Sequence, residues 1–334
     1  MSYTVWTTGA CNLRCKYCYE GLDKPHLHMT MNMAKEVINF IEKDFKEDRE
    51  LLVNFHGGEP FLNFAVIRCI VEQLEKKFKE RYKLSFSATT NGTILDGEMV
   101  DFIREHDMEL TFSIDGRKGT HDRIRIFPGG KGSHRLVMKN AKKIIAQNPM
   151  VRIRMTVNPD TVDDLCDDVE YLLEEGFEFI VPGINSYDNN WTEAQFESLK
   201  REIKKIKVLH NRYPKSAIAI IEPLVFCGRY CNGGINNKHI YYDGSIFPCL
   251  VSCGHEEFKI GDVMSGINMK KHKEILSYSN FDNKVCHECD IKDFCSASRC
   301  KIINKLKTGD YLLPSLADCN YTNLIYELNG IEFK

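Results

Sequence analysis

Residues 11–18 read Cys-Asn-Leu-Arg-Cys-Lys-Tyr-Cys and follow a short run, residues 3–7, that has the composition of a β-strand. Three thiols therefore lie close together in a loop at the end of the first predicted strand. Three thiolates at this spacing can bind three irons of a 4Fe–4S cluster and leave the fourth iron free for another ligand. A zinc loop is the alternative, although zinc sites usually take their cysteines from two Cys-x-x-Cys pairs. The stretch predicts a metal centre ahead of the first helix.

Composition limits the class of protein. The chain of 334 residues is 43% hydrophobic and 28% charged, which is typical of a globular protein. Its 45 basic and 47 acidic residues leave a net charge of −2, unlike the basic footprint of nucleic-acid binders or of membrane-surface proteins. No apolar run approaches the ~20 residues of a membrane-spanning helix, and the N-terminus lacks the pattern of a signal peptide. We therefore expect a cytoplasmic protein without nucleic-acid or membrane partners.

The chain contains 14 cysteines, and their distribution is uneven. In a reducing compartment, clustered thiols are metal ligands or catalytic groups more often than disulfides. Nine of the cysteines lie within residues 227–319, which predicts further metal near the C-terminus. Two isolated cysteines, Cys69 and Cys166, lie beside or on the apolar stripes of predicted helices, and we expect them to be core residues.

The first two-thirds of the chain alternate strand-like runs with amphipathic helical patterns. The helix that opens at Thr192 has Gln195 three residues later, the spacing of a capping box. Six strand–helix repeats with short connections predict an α/β barrel or a doubly wound sheet. The predicted strands cover residues 3–7, 51–55, 84–88, 109–114, 151–157 and 177–181.

The pattern changes near residues 221–223, and we place a domain boundary there, between residues 1–222 and 223–334. Beyond it helices are few, and cysteine, glycine and asparagine become frequent. Asp243-Gly244 is a good two-residue turn for a hairpin between two short strands. A segment with so thin an apolar core needs metal to hold it together.

Three motifs follow successive predicted strands. Residues 56–60 read His-Gly-Gly-Glu-Pro after the second strand, residues 90–93 read Thr-Asn-Gly-Thr after the third, and residues 113–116 read Ser-Ile-Asp-Gly at the end of the fourth. Functional groups of parallel α/β barrels collect at the carboxyl ends of the strands. We therefore expect the three motifs to meet the cysteine loop at one site.

These motifs and the cysteine loop resemble those of the radical S-adenosylmethionine (SAM) enzymes. The resemblance implies that Cys11, Cys15 and Cys18 hold the catalytic 4Fe–4S cluster and that SAM binds its open iron. It also implies a partial (β/α)6 barrel of the TIM type. By position, it assigns SAM-binding roles to Tyr17 beside the adenine, to Gly57, Gly58 and Glu59 around the amino group, to Asn91, and to Ser113 and Arg125 at the ribose or carboxylate.

The C-terminal cysteines resemble the SPASM extension of radical SAM enzymes, which carries two auxiliary 4Fe–4S clusters. Their spacing is Cys231-x12-Gly-x4-Cys249, then Cys286-x2-Cys289-x5-Cys295-x4-Cys300-x18-Cys319, with one residue more before Cys300 than is usual in the family. The resemblance implies a first auxiliary cluster on Cys231, Cys249, Cys300 and Cys227, with Cys253 as the alternative fourth ligand. It implies a second on Cys286, Cys289, Cys295 and Cys319. A zinc ribbon on Cys286, Cys289 and later thiols is the alternative interpretation of this spacing.

The resemblance implies reductive cleavage of SAM to a 5′-deoxyadenosyl radical, and auxiliary clusters imply net oxidation of the substrate. SPASM enzymes act mostly on peptides or proteins, so the expected function is maturation of a ribosomally made peptide through a thioether or carbon–carbon crosslink. A flavodoxin or ferredoxin-type protein is the expected electron donor. Because Cys11 lies close to the start of the sequence, we expect a separate protein or the barrel mouth to recognise any leader peptide.

Three other functions are alternatives to peptide crosslinking. An anaerobic sulfatase-maturating enzyme, which makes formylglycine, usually has Gln where His56 stands, Asp where Leu250 stands and Tyr where Glu20 stands. The missing Asp matters because formylglycine formation needs a base, a role that Glu20 or His56 would have to take. A peptide epimerase remains an alternative. A non-catalytic iron–sulfur redox protein would leave the strand-end motifs without a role.

Two arginines of the fifth predicted strand, Arg152 and Arg154, alternate with apolar residues. Side chains two residues apart point to the same face of a strand. The pair can therefore neutralise a carboxylate inside the barrel, or serve as solvated or paired structural residues.

Overall fold

A computed structural model describes residues 1–46, 50–146, 148, 150–228 and 230–332. A run of parallel strands forms an open, barrel-like sheet in which each strand pairs with the next. The edges of this run do not pair with each other in the described part of the chain, so the barrel stays open. The strands are β1 (Ser2–Thr8), β2 (Glu50–Gly57), β3 (Lys83–Thr90), β4 (Glu109–Ser113), β5 (Arg152–Val157), β6 (Phe179–Ile184) and the short β7 (Ala217–Ile218).

Helices connect these strands and bury the apolar stripes that the sequence predicts. They are α1 (Met31–Asp44), α2 (Phe64–Phe78), α3 (Gly97–Glu105), α4 (Lys118–Ile124), α5 (His134–Ile145), α6 (Leu165–Glu174) and α7 (Glu193–His210). Thr30 accepts a hydrogen bond from the Met33 amide at the start of α1, and the capping box of Thr192 and Gln195 is present at the start of α7. Within the described residues, no helix combines the length and apolar character needed to cross a membrane.

The C-terminal third consists of short elements. Its strands are β8 (Leu224–Val225), β9 (Asn237–Ile240), β10 (Ser245–Phe247), β11 (Gly261–Asp262), β12 (Gly266–Ile267) and β13 (Ile331–Glu332), and its helices are α8 (Met269–Ser277), α9 (Ser296–Arg299), α10 (Lys301–Thr308) and α11 (Leu316–Asn329). The predicted hairpin forms between β9 and β10, and Gly244 in its turn has a φ of +90° that favours glycine.

The hairpin is not separate from the barrel. Strand β9 pairs in parallel with β1, with Ser2 opposite Asn237 and Val5 opposite Ile240. The central sheet therefore runs continuously from the barrel into the C-terminal third, with eleven strands among the described residues. One cysteine of the C-terminal third, Cys300, lines the same cavity as the loop that follows β1.

An internal ion pair joins the hairpin to the barrel. The Lys238 ammonium lies 2.7 Å from the Asp44 carboxylate at the end of α1, with only 5% of the lysine side chain exposed. The Tyr3 hydroxyl donates to the same carboxylate at 2.7 Å. Removing one partner of a buried pair leaves the other charge without compensation, which is costly.

We expect Lys238→Met to lower the free energy of unfolding by about 3 kcal/mol, because Asp44 keeps its burial but loses its counter-charge. The exposed pair of Lys83 and Glu50, with 73% and 51% of the side chains exposed, provides the matched control. Lys83→Met should leave the same quantity nearly unchanged, because exposed ion pairs contribute little. Urea unfolding measures both, and equal effects would contradict the structural role of the Lys238 pair.

Candidate active site

The open barrel encloses a cavity of about 1160 Å³, which we call the lumen. Cys11, Cys15 and Cys18 all line it, as does Tyr17 within the same loop. The loop is held by its backbone, since the Arg14 amide donates to the Ile126 carbonyl at 2.7 Å. The structure thus brings the three thiols of the predicted cluster to one end of the lumen.

The charges around these thiols suit a metal centre. Burial raises the pKa of Cys15 to about 11, an effect that the Arg125 guanidinium opposes. Burial likewise raises the pKa of Cys11, and the nearby Lys24 ammonium lowers it. Lys24 is buried and hydrogen-bonds to the Cys18 thiol. Because metals bind the thiolate, the two cations favour the form of cysteine that a cluster needs.

The donor set fits an iron–sulfur cluster. It consists of three thiols from one loop, which is the ligand type of such clusters. No three His, Cys, Asp or Glu side chains of the described residues are close enough together to hold a single metal ion. A four-iron cluster is larger than one ion, and its cysteine ligands are spread over more space.

Gly57 ends β2 directly beneath this loop and Gly58 follows it, and both line the lumen. Gly57 has a φ of +147°, and a Cβ atom there would lie 2.3 Å from the Thr8 carbonyl oxygen. A Cβ atom at Gly58 would lie 2.3 Å from the Ala10 carbonyl oxygen. Any larger residue would push the cysteine loop away from the sheet, so the two glycines are needed for the close approach of the two chain segments.

Glu59 lies behind the wall of the lumen and is fully buried. Its carboxylate accepts hydrogen bonds from the Asn91 amide at 2.7 Å, the Thr90 hydroxyl at 2.8 Å and the Phe61 amide at 3.1 Å. Burial raises the pKa of Glu59 to about 7, although these hydrogen bonds lower it. The carboxylate therefore ties the end of β2 to the end of β3. Its predicted contact with the SAM amino group remains a prediction.

Asn91 connects this carboxylate to the cysteine loop. Its side chain lines the lumen and donates to Asn12 Oδ1 at 2.9 Å and to the Cys11 sulfur at 3.7 Å. A hydrogen bond to a cysteine sulfur is one of the means by which proteins tune an iron–sulfur centre. Asn91 is thus placed to act on the predicted cluster, and its contact with SAM remains a prediction.

Asp115 organises the far side of the site, and the sequence analysis gave it no role. Its carboxylate accepts from Arg125 Nε at 2.8 Å, the Tyr17 hydroxyl at 2.7 Å and the Thr156 amide at 2.9 Å. Burial alone would lower the pKa of Arg125, but Asp115 raises it above its usual range. The position of an acid two residues after Ser113, at the carboxyl end of β4, was the signal available in the sequence.

These contacts change the expected task of Arg125. Its guanidinium is committed to a buried ion pair with Asp115, and it also lies 5.1 Å from the centre of the Tyr17 ring. The arginine therefore positions the cysteine loop through Tyr17, in addition to any contact it makes with SAM. Ser113 lines the lumen with no such commitment.

A second cavity, of about 650 Å³, lies in the C-terminal third. All four cysteines predicted to hold the second auxiliary cluster line it: Cys286, Cys289, Cys295 and Cys319. Burial, together with the charges of the other three thiolates and of Asp318, raises the pKa of Cys319 to about 11. The structure thus brings together four thiols that are distant in sequence, a donor set that fits a 4Fe–4S cluster.

The remaining C-terminal cysteines form a separate group. Burial raises the pKa of Cys249 to about 11, and the neighbouring Cys231 and Cys300 thiolates contribute to this rise. Cys300 also lines the lumen. This group contains the three thiols predicted for the first auxiliary cluster, and Cys300 places it beside the lumen.

Two thiols adjoin the group on opposite sides. The Cys227 thiolate acts on Cys300, and the Cys227 thiol donates to the Asp293 carbonyl at 3.3 Å. The Cys253 thiol donates to the Cys249 carbonyl at 3.7 Å, and the charges of Cys249 and Glu20 act on it. Both remain candidates for the fourth ligand. Cys166 lies in the hydrophobic core, as expected, and the partly buried Cys69 packs against that core.

Comparison with known proteins points to one enzyme class. A family model described as a 4Fe-4S single cluster domain matches residues 1–135. The sporulation killing factor maturation protein SkfB of Bacillus subtilis (strain 168) is 24% identical over 331 residues, covering 94% of this chain and 72% of that protein. The cysteine-type anaerobic sulfatase-maturating enzyme of Clostridium novyi (strain NT) is 26% identical over 312 residues, covering 85% of this chain and 82% of that enzyme.

Another match is partial. An uncharacterized protein of Methanocaldococcus jannaschii is 29% identical over 173 residues, and the match spans 52% of this chain and 58% of that protein. Among solved structures, native anSMEcpe with bound AdoMet has a TM-score of 0.81 at 19% identity, covering 98% of this chain and 96% of that one. Its complex with AdoMet and a peptide has a TM-score of 0.78. At this identity the structural likeness shows a shared fold.

An open parallel barrel, with three thiols of one loop at the carboxyl end of its first strand, defines an α/β iron–sulfur enzyme. Together with its sequence relatives, the fold supports a radical SAM enzyme of the SPASM-type maturases. A 4Fe–4S cluster and SAM are its cofactors. The predicted fold class and enzyme class are confirmed.

We expect Asp115→Asn to lower the free energy of unfolding by about 3 kcal/mol or more, because the Arg125 charge stays buried without its partner. The exposed pair of Asp101 and Arg104 is the control, and Asp101→Asn should shift stability by less than about 1 kcal/mol. Thermal and urea unfolding measure both variants. Equal stabilities of the two variants would show that Asp115 does not organise the site.

Proposed function

We propose that this enzyme oxidatively modifies a ribosomally made peptide, forming a thioether or carbon–carbon crosslink. The observation that carries the proposal is the lumen itself. Its volume of about 1160 Å³ exceeds the roughly 300–1,000 Å³ of ordinary small-ligand pockets. It therefore has room for a peptide segment beside a nucleoside cofactor. The relatives support the same substrate class, since one sequence relative is a maturation protein and one enzyme of the same fold was solved with a bound peptide.

The proposal assigns three 4Fe–4S clusters to the three groups of cysteines. Cys11, Cys15 and Cys18 would hold the SAM-binding cluster. Cys231, Cys249, Cys300 and either Cys227 or Cys253 would hold the first auxiliary cluster, and Cys286, Cys289, Cys295 and Cys319 the second. When bound, the first cluster and SAM supply a 5′-deoxyadenosyl radical that removes a hydrogen atom from an unactivated carbon.

The residues of this chain position the substrate and shield the reaction. The lumen and the 650 Å³ cavity share Ser186 and Lys307 in their walls. Lys307 closes this wall by an ion pair with Asp318 at 2.7 Å and a hydrogen bond to Ser186 at 2.5 Å. A substrate in the lumen would therefore lie beside both groups of C-terminal cysteines, while the wall limits the access of water.

The proposal also includes the enzyme's partners and location. We infer a cytoplasmic enzyme that receives electrons from a flavodoxin or ferredoxin-type donor, because a reducing compartment preserves thiolates and reduced clusters. A separate protein or the mouth of the lumen would recognise the leader of the peptide.

Formylglycine formation is the second candidate, and the likeness to a sulfatase-maturating enzyme over most of both chains favours it. The lumen wall argues against it, because Leu250 lines the lumen at the place where that family has an acid. Glu20 and His56 line the same lumen and are the groups left to act as a base. Burial lowers the pKa of His56 to about 4, so this imidazole is neutral near pH 7.

We expect reconstituted enzyme to bind about twelve irons, four for each of three 4Fe–4S clusters. The double variant Cys286→Ala/Cys289→Ala should lose about four irons, because the second auxiliary cluster would have only two cysteines left. Cys166→Ala, a core substitution, should keep the full content. Iron and sulfide analysis with Mössbauer spectroscopy measures the content. Zinc in place of iron at the C-terminal cysteines would contradict the assignment.

A mass spectrum tests the reaction. Anaerobic co-expression with a short peptide encoded beside the gene should lower the peptide mass by about 2 Da per crosslink, the mass of two hydrogen atoms. The change should be absent with Cys11→Ala and present with Cys166→Ala. Tandem mass spectrometry then identifies the two joined residues.

Other outcomes separate the alternatives. A cysteine-containing sulfatase peptide that loses about 18 Da and gains an aldehyde would establish formylglycine formation. Incorporation of deuterium from solvent at an otherwise unchanged residue would establish epimerisation. An unchanged peptide in all three assays would contradict the proposed function.

A further inference from the structure

Strand β5 directs two arginines into the lumen. Arg152 and Arg154 both line it, and Arg152 also lies over the Phe179 ring at 5.0 Å. The interiors of α/β barrels are usually filled with branched apolar side chains. Here the neighbouring strand β4 is polar as well, with Thr111 and Ser113 facing the same space. This wall of the lumen is built for a ligand rather than for packing.

The Arg154 guanidinium lies against the backbone of β6. It donates to the Val181 carbonyl oxygen at 3.2 Å. A Cβ atom at Gly183 would lie 2.5 Å from one guanidinium nitrogen and 2.6 Å from the other. The absence of a side chain at residue 183 therefore makes the space in which the guanidinium lies, and most of its five donors remain free for a ligand.

Neither arginine has an acidic partner in the described part of the chain. Other arginines near the site do, since Arg125 pairs with Asp115 and Arg117 with three aspartates of α6 and the turn before it. Burial lowers the pKa of Arg154, an effect that the nearby Tyr321 opposes. The Arg154 side chain is nevertheless exposed to the open lumen, so a ligand that fills this space would bury the cation and would have to supply its counter-charge.

The location of Arg154 indicates which part of the lumen its ligand would occupy. Arg154 is the register partner of Ser113, which is predicted to contact SAM. Arg152 is the register partner of Thr111, one inward-facing position further from the cysteine loop. Side chains two residues apart on a strand are separated by about 7 Å. The two cations therefore extend from the predicted SAM site into the part of the lumen that the substrate would occupy.

We propose that Arg154, with Arg152 behind it, binds a carboxylate of the substrate, so that the peptide carries an Asp, a Glu or its own C-terminal carboxylate next to the reacting residue. This inference rests on the proposed function. Arginine is suited to this task because its planar fork binds a carboxylate through two hydrogen bonds. The same chemistry could recognise the carboxylate of SAM, and the experiment has to separate the two sources.

The probes are N-acetyl-glutamate N-methylamide and its neutral isostere, N-acetyl-glutamine N-methylamide. Each is titrated into the reconstituted, SAM-bound enzyme and followed by saturation-transfer NMR. We expect wild type to bind the acid at least about tenfold more tightly than the amide, the effect of one charge-assisted hydrogen bond. Arg154→Met should abolish this preference, and Gly183→Ala should reduce it by displacing the guanidinium. Arg201→Met, on the outer surface, should retain it.

A SAM titration of the same variants distinguishes the two carboxylates. An unchanged Kd for SAM in Arg154→Met, together with loss of the acid preference, supports the substrate site. Weaker SAM binding with the acid preference intact would assign the guanidinium to SAM and overturn the proposal, as would equal binding of acid and amide to wild type. Because these readouts need no peptide modification, they are independent of the mass spectra that test the proposed function.

Discussion

The close contact between the ends of β1 and β2 is the constraint on which the rest of the site depends. The Gly58 amide donates to the Thr8 carbonyl at 3.1 Å, and the Glu59 amide donates to the Ala10 carbonyl at 2.8 Å. This geometry leaves no space for a Cβ atom at either glycine. The cysteine loop begins one residue after Ala10, so its position relative to the sheet is determined by a backbone contact. Side chains then adjust the loop but do not place it.

Buried carboxylates adjust the position of the cysteine loop through their hydrogen bonds. Glu59 and Asp115 are both almost fully buried, and each accepts hydrogen bonds from two or more chain segments. Such networks are costly when incomplete and rigid when complete. Among the described residues, the two lumen arginines, Arg152 and Arg154, have no acidic partner. Glu59 and Asp115 therefore hold the site together, whereas these arginines are available to a ligand. Arg125 and Arg154 line the same cavity. They differ in that Arg125 is paired with Asp115, whereas Arg154 has no acidic partner among the described residues.

Local patterns in the sequence were sufficient for much of this fold. The six strands, the helices between them, the capping box at Thr192 and the hairpin at Asp243-Gly244 all depend on interactions between residues near in sequence. The parallel pairing of β9 with β1 does not, because it joins segments more than 200 residues apart and has no local signature. For the same reason, the grouping of the C-terminal cysteines was predicted only through the family resemblance, and the structure shows that four of them surround one cavity. The role of Asp115 was missed because its partners, Tyr17 and Thr156, come from distant loops and strands.

The shared wall between the two cavities has a consequence for the proposed chemistry. Lys307 and Asp318 form a buried ion pair, with 6% and 20% of their side chains exposed, and Asp318 is adjacent in sequence to Cys319. A paired wall carries little net charge, so it adds no electrostatic barrier between a substrate in the lumen and the thiols behind it. Arg154 would place the carboxylate end of a peptide against β5 and β6, and Ser186, in the segment after β6, belongs to this wall. On the proposed function, substrate anchoring and substrate oxidation therefore occur at neighbouring parts of one surface. The polar wall of β4 and β5 would then select the peptide whose reacting residue lies beside the C-terminal cysteines.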